Sequence, residues 1–293
     1  MKHAILGAGA IGGLVGTALA SLGENVTLLV RPGKVSGYPE TIVLERPSGT
    51  LSAKVRAAGK LTESVDVLWL ATKAYQLEEA LTAVEATPKI IVPLLNGVDH
   101  VAVLQARFGS DRVVPATIAV EAEQLGPGRF VQRSPVRLNI AASGEPVLGP
   151  IIQRLGEIGF ICQFVANPQT LLWGKLCFLA PFALVTSASG KNVAEIFADP
   201  EWKAQLDSAI LEACSVAGAS GAEVDVAKIH ALLDTLPATM RSSMAKDLAA
   251  RRQLELDAIA GPILRGGKRY GIPVPVTEKL VASIQALAAA PAA

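Results

Sequence analysis

The 293-residue sequence has few cysteines and few histidines, and these absences exclude several classes of protein. Its three cysteines, Cys162, Cys177 and Cys214, are an odd number without CxxC spacing. This excludes a disulfide framework and a structural zinc site, and it indicates a reducing compartment. The three histidines are scattered without ligand spacing, so the sequence predicts no metal site and no histidine-based catalytic triad.

The sequence also lacks an excess of charge of either sign. The 27 Lys and Arg residues against 26 Asp and Glu residues leave a formal net charge of +1, so no basic face for nucleic acid or anionic lipid is implied. Glycines interrupt the apolar N-terminal stretch, which is therefore not a signal peptide. The longest mostly apolar run, 176–188, contains Pro181 and is too short to span a bilayer. We expect a soluble cytoplasmic protein with no nucleic-acid or membrane partner.

The sequence contains enough apolar residues to form two hydrophobic cores, since 51% of its residues are hydrophobic. Residues 1–166 alternate short β-like runs with helical segments, which predicts a parallel, doubly wound sheet of the Rossmann type. Two segments, 42–55 and 113–131, have the turn residues of antiparallel hairpins. Residues 167–293 show helical periodicity almost throughout and are predicted to form a separate, all-helical domain.

A glycine-rich turn follows the first predicted strand and opens the first predicted helix. Gly7, Gly9 and Gly12 have the GxGxxG spacing in the context that dinucleotide binding requires. The first glycine permits the turn, the second leaves room for a pyrophosphate, and the third lets the helix approach the strand. The alternative is a strand-to-helix turn without a ligand. The predicted cofactor-binding residues of the turn are Gly7, Ala8, Gly9, Ala10, Ile11 and Gly12.

The residue after the second strand distinguishes the two nicotinamide cofactors. NAD binders usually place an acidic residue there, but this sequence has Arg31. A guanidinium suits the additional phosphate of NADP(H), and Lys73, after the third strand, is placed to join it. Taken singly, such cations are more often simply solvated. Together they favour NADP(H) as the cofactor.

Several motifs in one order resemble the ketopantoate reductase (2-dehydropantoate 2-reductase) family over essentially the full chain. Besides the glycine turn, Arg31 and Lys73, they include Asn96-Gly97, Trp173-Gly-Lys175-Leu176, Arg241-Ser-Ser243-Met244 and Glu255-Leu-Asp257. The resemblance implies a Rossmann domain joined to a helical domain like that of 6-phosphogluconate dehydrogenase. It also implies NADPH-dependent reduction of a 2-oxo acid in the cleft between them, a step of pantothenate biosynthesis.

The resemblance also implies roles for individual residues. Lys175 would polarise the ketone and donate the proton. Glu255, which the sequence pattern places in the middle of a helix, would orient Lys175 and reach the cofactor. Asn96 would contact nicotinamide and substrate, Ser243 would bind the substrate carboxylate, and Ala122 would contact the nicotinamide through its backbone. Each has a plainer alternative: a solvated helix lysine, a glutamate on a helix surface, an Asn-Gly turn, or serines that cap a helix.

Two positions depart from the family pattern on the helix that carries Lys175. The family has asparagines one and two turns after the lysine, where this sequence has Leu179 and Ala183. The spacing places all three residues on one helix face, so an apolar lining replaces a polar one. Because an apolar pocket disfavours a hydroxylated substrate, we expect a 2-oxo acid with a plain aliphatic tail rather than ketopantoate.

Two other functions stay open from the sequence. One is a catalytically inactive NADP-binding sensor or regulatory protein, which the missing asparagines favour and the retained Lys175, Ser243 and Glu255 disfavour. The other is a Rossmann reductase that acts on another ketone or on an imine. A homodimer through the helical domain also stays open, because no residue pattern demands one.

Overall fold

The computed structural model describes residues 1–290 and divides the chain into two compact units. The first unit comprises Met1–Leu95 and His100–Pro168, and the second comprises Asn96–Asp99 and the chain from Gln169 onward. The sequence predicts a single boundary after residue 166. The segment Asn96–Asp99 does not follow this division, because it comes after a strand of the first unit in sequence but packs with the second unit.

The strands of the first unit form three sheets. The strands are β1 Lys2–Leu6, β2 Asn25–Leu29, β3 Thr41–Arg46, β4 Gly49–Lys54, β5 Arg56–Ala58, β6 Val67–Leu70, β7 Ile90–Pro93, β8 Ala116–Ala119, β9 Ala122–Gly126, β10 Arg129–Gln132, β11 Val136–Ala141 and β12 Phe160–Val165. A parallel sheet of five strands has the order β5-β2-β1-β6-β7. A four-stranded sheet has the order β4-β3-β10-β9, and a three-stranded sheet has the order β12-β11-β8.

Helices of the first unit cover the sheets and connect their strands. They are α1 Ala10–Ser21, α2 Leu77–Leu81, α3 His100–Phe108 and α4 Glu145–Glu157, with short 3-10 helices at Pro32–Lys34, Ala74–Gln76 and Ala142–Gly144. Helix α1 packs on both larger sheets because its glycines have no side chains. A Cβ on Gly13 would lie 2.0 Å from the Phe130 ring of β10, and one on Gly16 would lie 2.9 Å from Leu28 of β2.

The predicted parallel sheet is confirmed, but one of the two predicted hairpins is partly wrong. The hairpin over 42–55 forms as β3 and β4, which pair antiparallel. The segment 113–131 is not a single hairpin: β9 and β10 pair around residues 127–128, whereas β8 pairs antiparallel with β11 in another sheet. The first three residues of β8 are buried and need an apolar partner, while the middle of β9 is exposed.

The second unit is helical apart from the segment Asn96–Asp99, as predicted for the C-terminal part of the chain. Its helices are α5 Pro168–Ser189, α6 Val193–Phe197, α7 Pro200–Ala219, α8 Val226–Asp234, α9 Ser243–Ala249, α10 Leu256–Tyr270 and α11 Pro275–Ala289. The prediction that the apolar run around Pro181 is too short to span a bilayer is wrong for the helix that contains it. Helix α5 continues through Pro181 and reaches 22 residues, so it is long and apolar enough to cross a membrane. However, 72% of its most apolar window is buried inside the protein, as in the core helix of a globular fold.

Candidate active site

The glycine turn between β1 and α1 contains three glycines, and each of them has different surroundings. Gly7 has a φ of +100°, and a Cβ there would lie 2.8 Å from the Ala71 backbone. A Cβ on Gly12 would lie 1.9 Å from the Gly7 carbonyl oxygen, so only glycine permits this close packing. Gly9 is the N-cap of α1, and a Cβ there would meet nothing within 4 Å. The space beside Gly9 is therefore open.

The N-terminus of α1 is suited to an anion. Its first turn has no acidic residue, and no side chain caps its backbone N–H groups. These N–H groups and the positive end of the helix dipole point to the open space beside Gly9. The turn thus fits a dinucleotide diphosphate by its own geometry.

The two predicted cations flank this turn at the carboxyl edge of the five-stranded sheet. Strand β1 lies between β2 and β6 and is parallel to both, and Leu6 pairs with Leu29 and Leu70. Arg31 follows β2 and is exposed, while Lys73 follows β6 and is half-buried at the start of a 3-10 helix. Two strand spacings of about 4.8 Å separate β2 from β6, so the cations lie on opposite sides of the turn.

Gln124 is a residue near the turn that the sequence reasoning missed. Its side-chain Nε2 donates a hydrogen bond to the Ala8 carbonyl oxygen at 3.2 Å, which joins β9 to the glycine turn. Ala122 is the first residue of the same strand and lies two residues before Gln124, so both belong to one face of β9. A long-range contact of this kind leaves no local pattern in the sequence.

In the second unit, three predicted site residues are joined by hydrogen bonds. The Lys175 ammonium of α5 donates to Asn96 Oδ1 at 2.9 Å, and Asn96 Nδ2 donates to Glu255 Oε2 at 3.3 Å. The asparagine amide therefore bridges the ammonium to the carboxylate. Glu255 is buried, and Lys175 and Asn96 are half-buried. We call these three residues the lysine cluster.

The pKa of Lys175 is suited to proton transfer near neutral pH. Burial of the ammonium disfavours its charge and lowers the pKa from 10.5 to about 8, while the negative charge of Glu255 opposes part of this shift. An ammonium with such a pKa is a stronger acid than an exposed lysine and still carries its proton at pH 7. This combination suits a general acid.

Two details of the lysine cluster differ from the sequence interpretation. Glu255 is not in the middle of a helix but at the N-cap of α10, with φ −87° and ψ 32°. Asn96-Gly97 forms a turn as well as part of the cluster, since Gly97 has a φ of +86°. The alternative of a plain Asn-Gly turn therefore describes its backbone, while the Asn96 side chain bonds to Lys175 and Glu255.

The remaining predicted substrate residues lie in different surroundings. Leu179, one helical turn after Lys175, is only partly buried, so its side chain retains accessible surface. Ala183 is fully buried in the apolar core of the second unit, which does not present it to a ligand. Ser243 is exposed as the first residue of α9, and Ser242 is the N-cap of that helix. Hydrogen bonds do not join Ser243 to the lysine cluster in the described residues.

A glycine turn that fits a diphosphate, on a parallel sheet, together with a lysine hydrogen-bonded to an amide in a helical unit, indicates a dinucleotide-dependent oxidoreductase. The family model for ketopantoate reductase PanE/ApbA matches residues 3–145, and the model for its C-terminal domain matches residues 167–288. The chain therefore belongs to the ketopantoate reductase family, an NADP-dependent class of oxidoreductases.

Individual relatives agree with this assignment over nearly their whole length. The 2-dehydropantoate 2-reductase of Caulobacter vibrioides is 31% identical, and the alignment covers 97% of this chain and 98% of that protein. A solved ketopantoate reductase from Ralstonia eutropha JMP134 has a TM-score of 0.86 at 26% identity, with 98% of each chain covered. A solved D-mandelate dehydrogenase in complex with NADH has a TM-score of 0.83 at 26% identity, covering 98% of this chain and 99% of that one.

Proposed function

We propose that this protein acts in the cytoplasm as an NADPH-dependent reductase of 2-oxo acids with an apolar tail. The lysine cluster carries the proposal, because reduction of a ketone needs a proton donor for the oxygen that becomes negative. Lys175 is that donor in our proposal. Its hydrogen bond to Asn96 orients the ammonium, and its pKa of about 8 suits proton transfer near neutral pH.

The site residues divide the chemistry between them. When bound, NADPH supplies the hydride that adds to the carbonyl carbon of the substrate. Lys175 polarises the carbonyl oxygen and gives it a proton, so the ketone gains one hydride and one proton and becomes a secondary alcohol. Asn96 accepts a hydrogen bond from Lys175 and thereby orients its ammonium, and Glu255 holds the amide of Asn96 and stabilises the positive charge.

The preference for NADPH rests on Arg31 and Lys73. Both cations follow strands of the parallel sheet at its carboxyl edge, one on each side of the glycine turn, and residue 31, after β2, is not acidic. A guanidinium forms charge-assisted hydrogen bonds with a phosphate, and it offers no acceptor to an unphosphorylated ribose.

The apolar tail of the substrate is inferred from Leu179. Its side chain lies one turn from Lys175 and is partly accessible, where the family pattern has an asparagine. The similar fold of a D-mandelate dehydrogenase shows that this architecture serves a 2-hydroxy acid with an apolar substituent in another protein. Ala183 contributes less than the sequence suggested, because it is buried in the core.

A substrate panel tests the proposal directly. NADPH oxidation is measured with 2-oxobutyrate, 2-oxoisovalerate, 2-oxoisocaproate, phenylglyoxylate and ketopantoate at matched concentrations. We expect higher kcat/KM for the apolar acids than for ketopantoate by about tenfold or more, because a buried hydroxyl without a partner costs about 1–3 kcal/mol. A clear preference for ketopantoate would refute the apolar pocket, and inactivity toward all five acids would favour the binding-protein or imine-reductase alternatives.

A further inference from the structure

On helix α10, whose N-cap is Glu255 of the lysine cluster, a glycine lies between an acidic and a basic side chain. Asp257, Gly261 and Arg265 are spaced four residues apart and therefore lie along one face of the helix. A Cβ on Gly261 would lie 2.3 Å from Arg265 Nη2 and 2.6 Å from Asp257 Oδ1. The missing side chain of Gly261 thus lets Arg265 lie back along the helix toward its N-terminus.

Arg265 joins two carboxylates from this position. Its Nη1 donates to Asp257 Oδ1 at 2.7 Å, and its Nε and Nη2 donate to Asp99 Oδ2 at 3.2 and 2.5 Å. Asp257 belongs to α10 itself and fixes the direction of the guanidinium. Asp99, in contrast, is the last residue of the segment Asn96–Asp99, so the second contact fastens that segment to α10.

The same segment contacts α10 at a second point through Gly97. A Cβ on Gly97 would lie 2.3 Å from the Ala258 carbonyl oxygen, so the backbone of the segment lies directly against the first turn of the helix. Asn96 is adjacent to this contact, and its two hydrogen bonds to Lys175 and Glu255 depend on where the segment lies.

We propose that Arg265, whose guanidinium lies over Gly261, is a positioning residue, which holds Asp99 and thereby keeps Asn96 within hydrogen-bond distance of both Lys175 and Glu255. This inference rests on the proposed function only for its effect on catalysis. The contact itself belongs to the second unit and exists without substrate or cofactor.

The ion pair between Arg265 and Asp99 lies at the surface. Its loss should therefore change global stability little, and this distinguishes a positioning role from a structural one. Arg265 and Asp99 are about half exposed, and such pairs contribute little to global stability. Release of the segment would instead remove the oxygen that accepts from the Lys175 ammonium. While the ammonium stays buried, loss of that hydrogen bond lowers the pKa of Lys175 further, because the bond favours the charged lysine. Glu255 remains the ionisable group that opposes the shift.

Three variants test the inference against a matched control. R265Q and D99N each remove one half of the pair, and K268Q removes an exposed cation from the same helix as the control. G261A is the sharpest test, because the atoms nearest to its Cβ are the ends of the flexible side chains of Arg265 and Asp257, which it forces to move. Alanine favours a helix more than glycine does, so the melting temperature of G261A should stay equal or rise.

For R265Q, D99N and G261A we expect kcat to fall by about tenfold to a hundredfold with little change in KM, because small displacements of a catalytic group have effects of this size. The alkaline limb of the pH profile should shift to lower pH. The double variant D99N/R265Q should lower kcat no further than either single variant does, and K268Q should have the kcat and pH profile of the wild type. Unchanged kcat and pH profile in R265Q and G261A would overturn the inference.

A second measurement works without any substrate. The pKa of Lys175 is determined by NMR titration of the lysine side-chain carbons, assigned with K175R, in the wild type and in G261A. We expect a lower pKa in G261A, and equal values would contradict the positioning role. If the wild type reduced no 2-oxo acid, the proposed function would fail while this titration still decided the role of Arg265.

Discussion

At the scale of single residues, the proposed role of Lys175 predicts the direction in which pH acts on the reaction. In that role the ammonium is the form that donates a proton, and its pKa is about 8 because burial disfavours the charge. The reduction rate should therefore be constant below about pH 7 and fall about tenfold per pH unit well above pH 8. Stopped-flow measurement of NADPH oxidation from pH 6 to 10 checks this, and a rate that rises through pH 8 would contradict it.

Removal of the same ammonium should separate catalysis from cofactor binding. We expect Lys175→Met to lower kcat by about 10²–10⁴-fold, the usual contribution of a general acid, because Met keeps the length of the side chain without its charge. The affinity for NADPH, measured by fluorescence titration, should change little. Residual activity close to that of the wild type would mean that Lys175 is not the proton donor.

Arg31 allows an equally direct test of cofactor choice. Arg31→Asp should weaken NADPH binding by about 10–100-fold, because a charge-assisted hydrogen bond contributes about 1.5–3 kcal/mol, and it should affect NADH far less. Lys34→Asp changes the net charge equally on the neighbouring 3-10 helix and serves as the control. Equal losses for both cofactors, measured by isothermal titration calorimetry, would disprove the assigned role of Arg31.

At the scale of elements, the β1–α1 turn separates two glycines that look alike in the sequence. Gly12→Ala would drive a Cβ into the Gly7 carbonyl oxygen, whereas a Cβ on Gly9 meets open space. We expect Gly12→Ala to lower the melting temperature clearly and Gly9→Ala to leave it unchanged. Gly9→Ala should still weaken NADPH binding at least tenfold, because the diphosphate needs that space. Normal NADPH affinity in Gly9→Ala would show that the diphosphate lies elsewhere.

Two positions on helix α5 allow a matched pair of substitutions that tests which residue determines the choice of substrate. Leu179→Asn introduces an amide at a partly accessible position, so kcat/KM for ketopantoate should rise by about tenfold. Ala183→Asn places the same amide in the core, where an unpaired polar group costs about 1–3 kcal/mol, so it should lower the melting temperature instead. A ketopantoate gain from Ala183→Asn alone would reverse this assignment.

The elements were largely predictable, because local signals define them. The glycine turn, the strands of the parallel sheet and the helices after Pro168 all follow from periodicity and turn residues. The separation of β8 from the β9–β10 hairpin was not predictable, since strand pairing depends on burial against partners distant in sequence. For the same reason, Gln124, the place of Glu255 at a helix N-cap and the burial of Ala183 needed the folded chain.

At the scale of the whole molecule, a buried histidine makes stability depend on pH. His3 is buried, its Nδ1 accepts a hydrogen bond from Trp69 at 3.1 Å, and burial lowers its pKa from 6.5 to about 4. The unfolded chain therefore takes up a proton first as the pH falls. The free energy of unfolding should be insensitive to His3 above pH 6.5 and should decrease by about 3 kcal/mol between pH 6.5 and 4.

A neutral substitution isolates this contribution. His3→Gln keeps an acceptor for Trp69 but does not titrate, so its unfolding free energy should vary less across the same pH range. Urea denaturation at half-unit steps of pH compares the two proteins. Parallel curves for both would show that other groups, such as the carboxylate of Glu24 with its lowered pKa, account for the acid sensitivity.

The four residues 96–99 have a consequence for any attempt to divide this enzyme. A cut at the obvious junction near residue 167 would leave Lys175 on one fragment and Asn96, which accepts its hydrogen bond, on the other. Neither fragment would hold the complete lysine cluster, however well each folded. Recombination with a foreign nucleotide-binding half would succeed only if the graft brought a loop able to dock on the recipient helix α10.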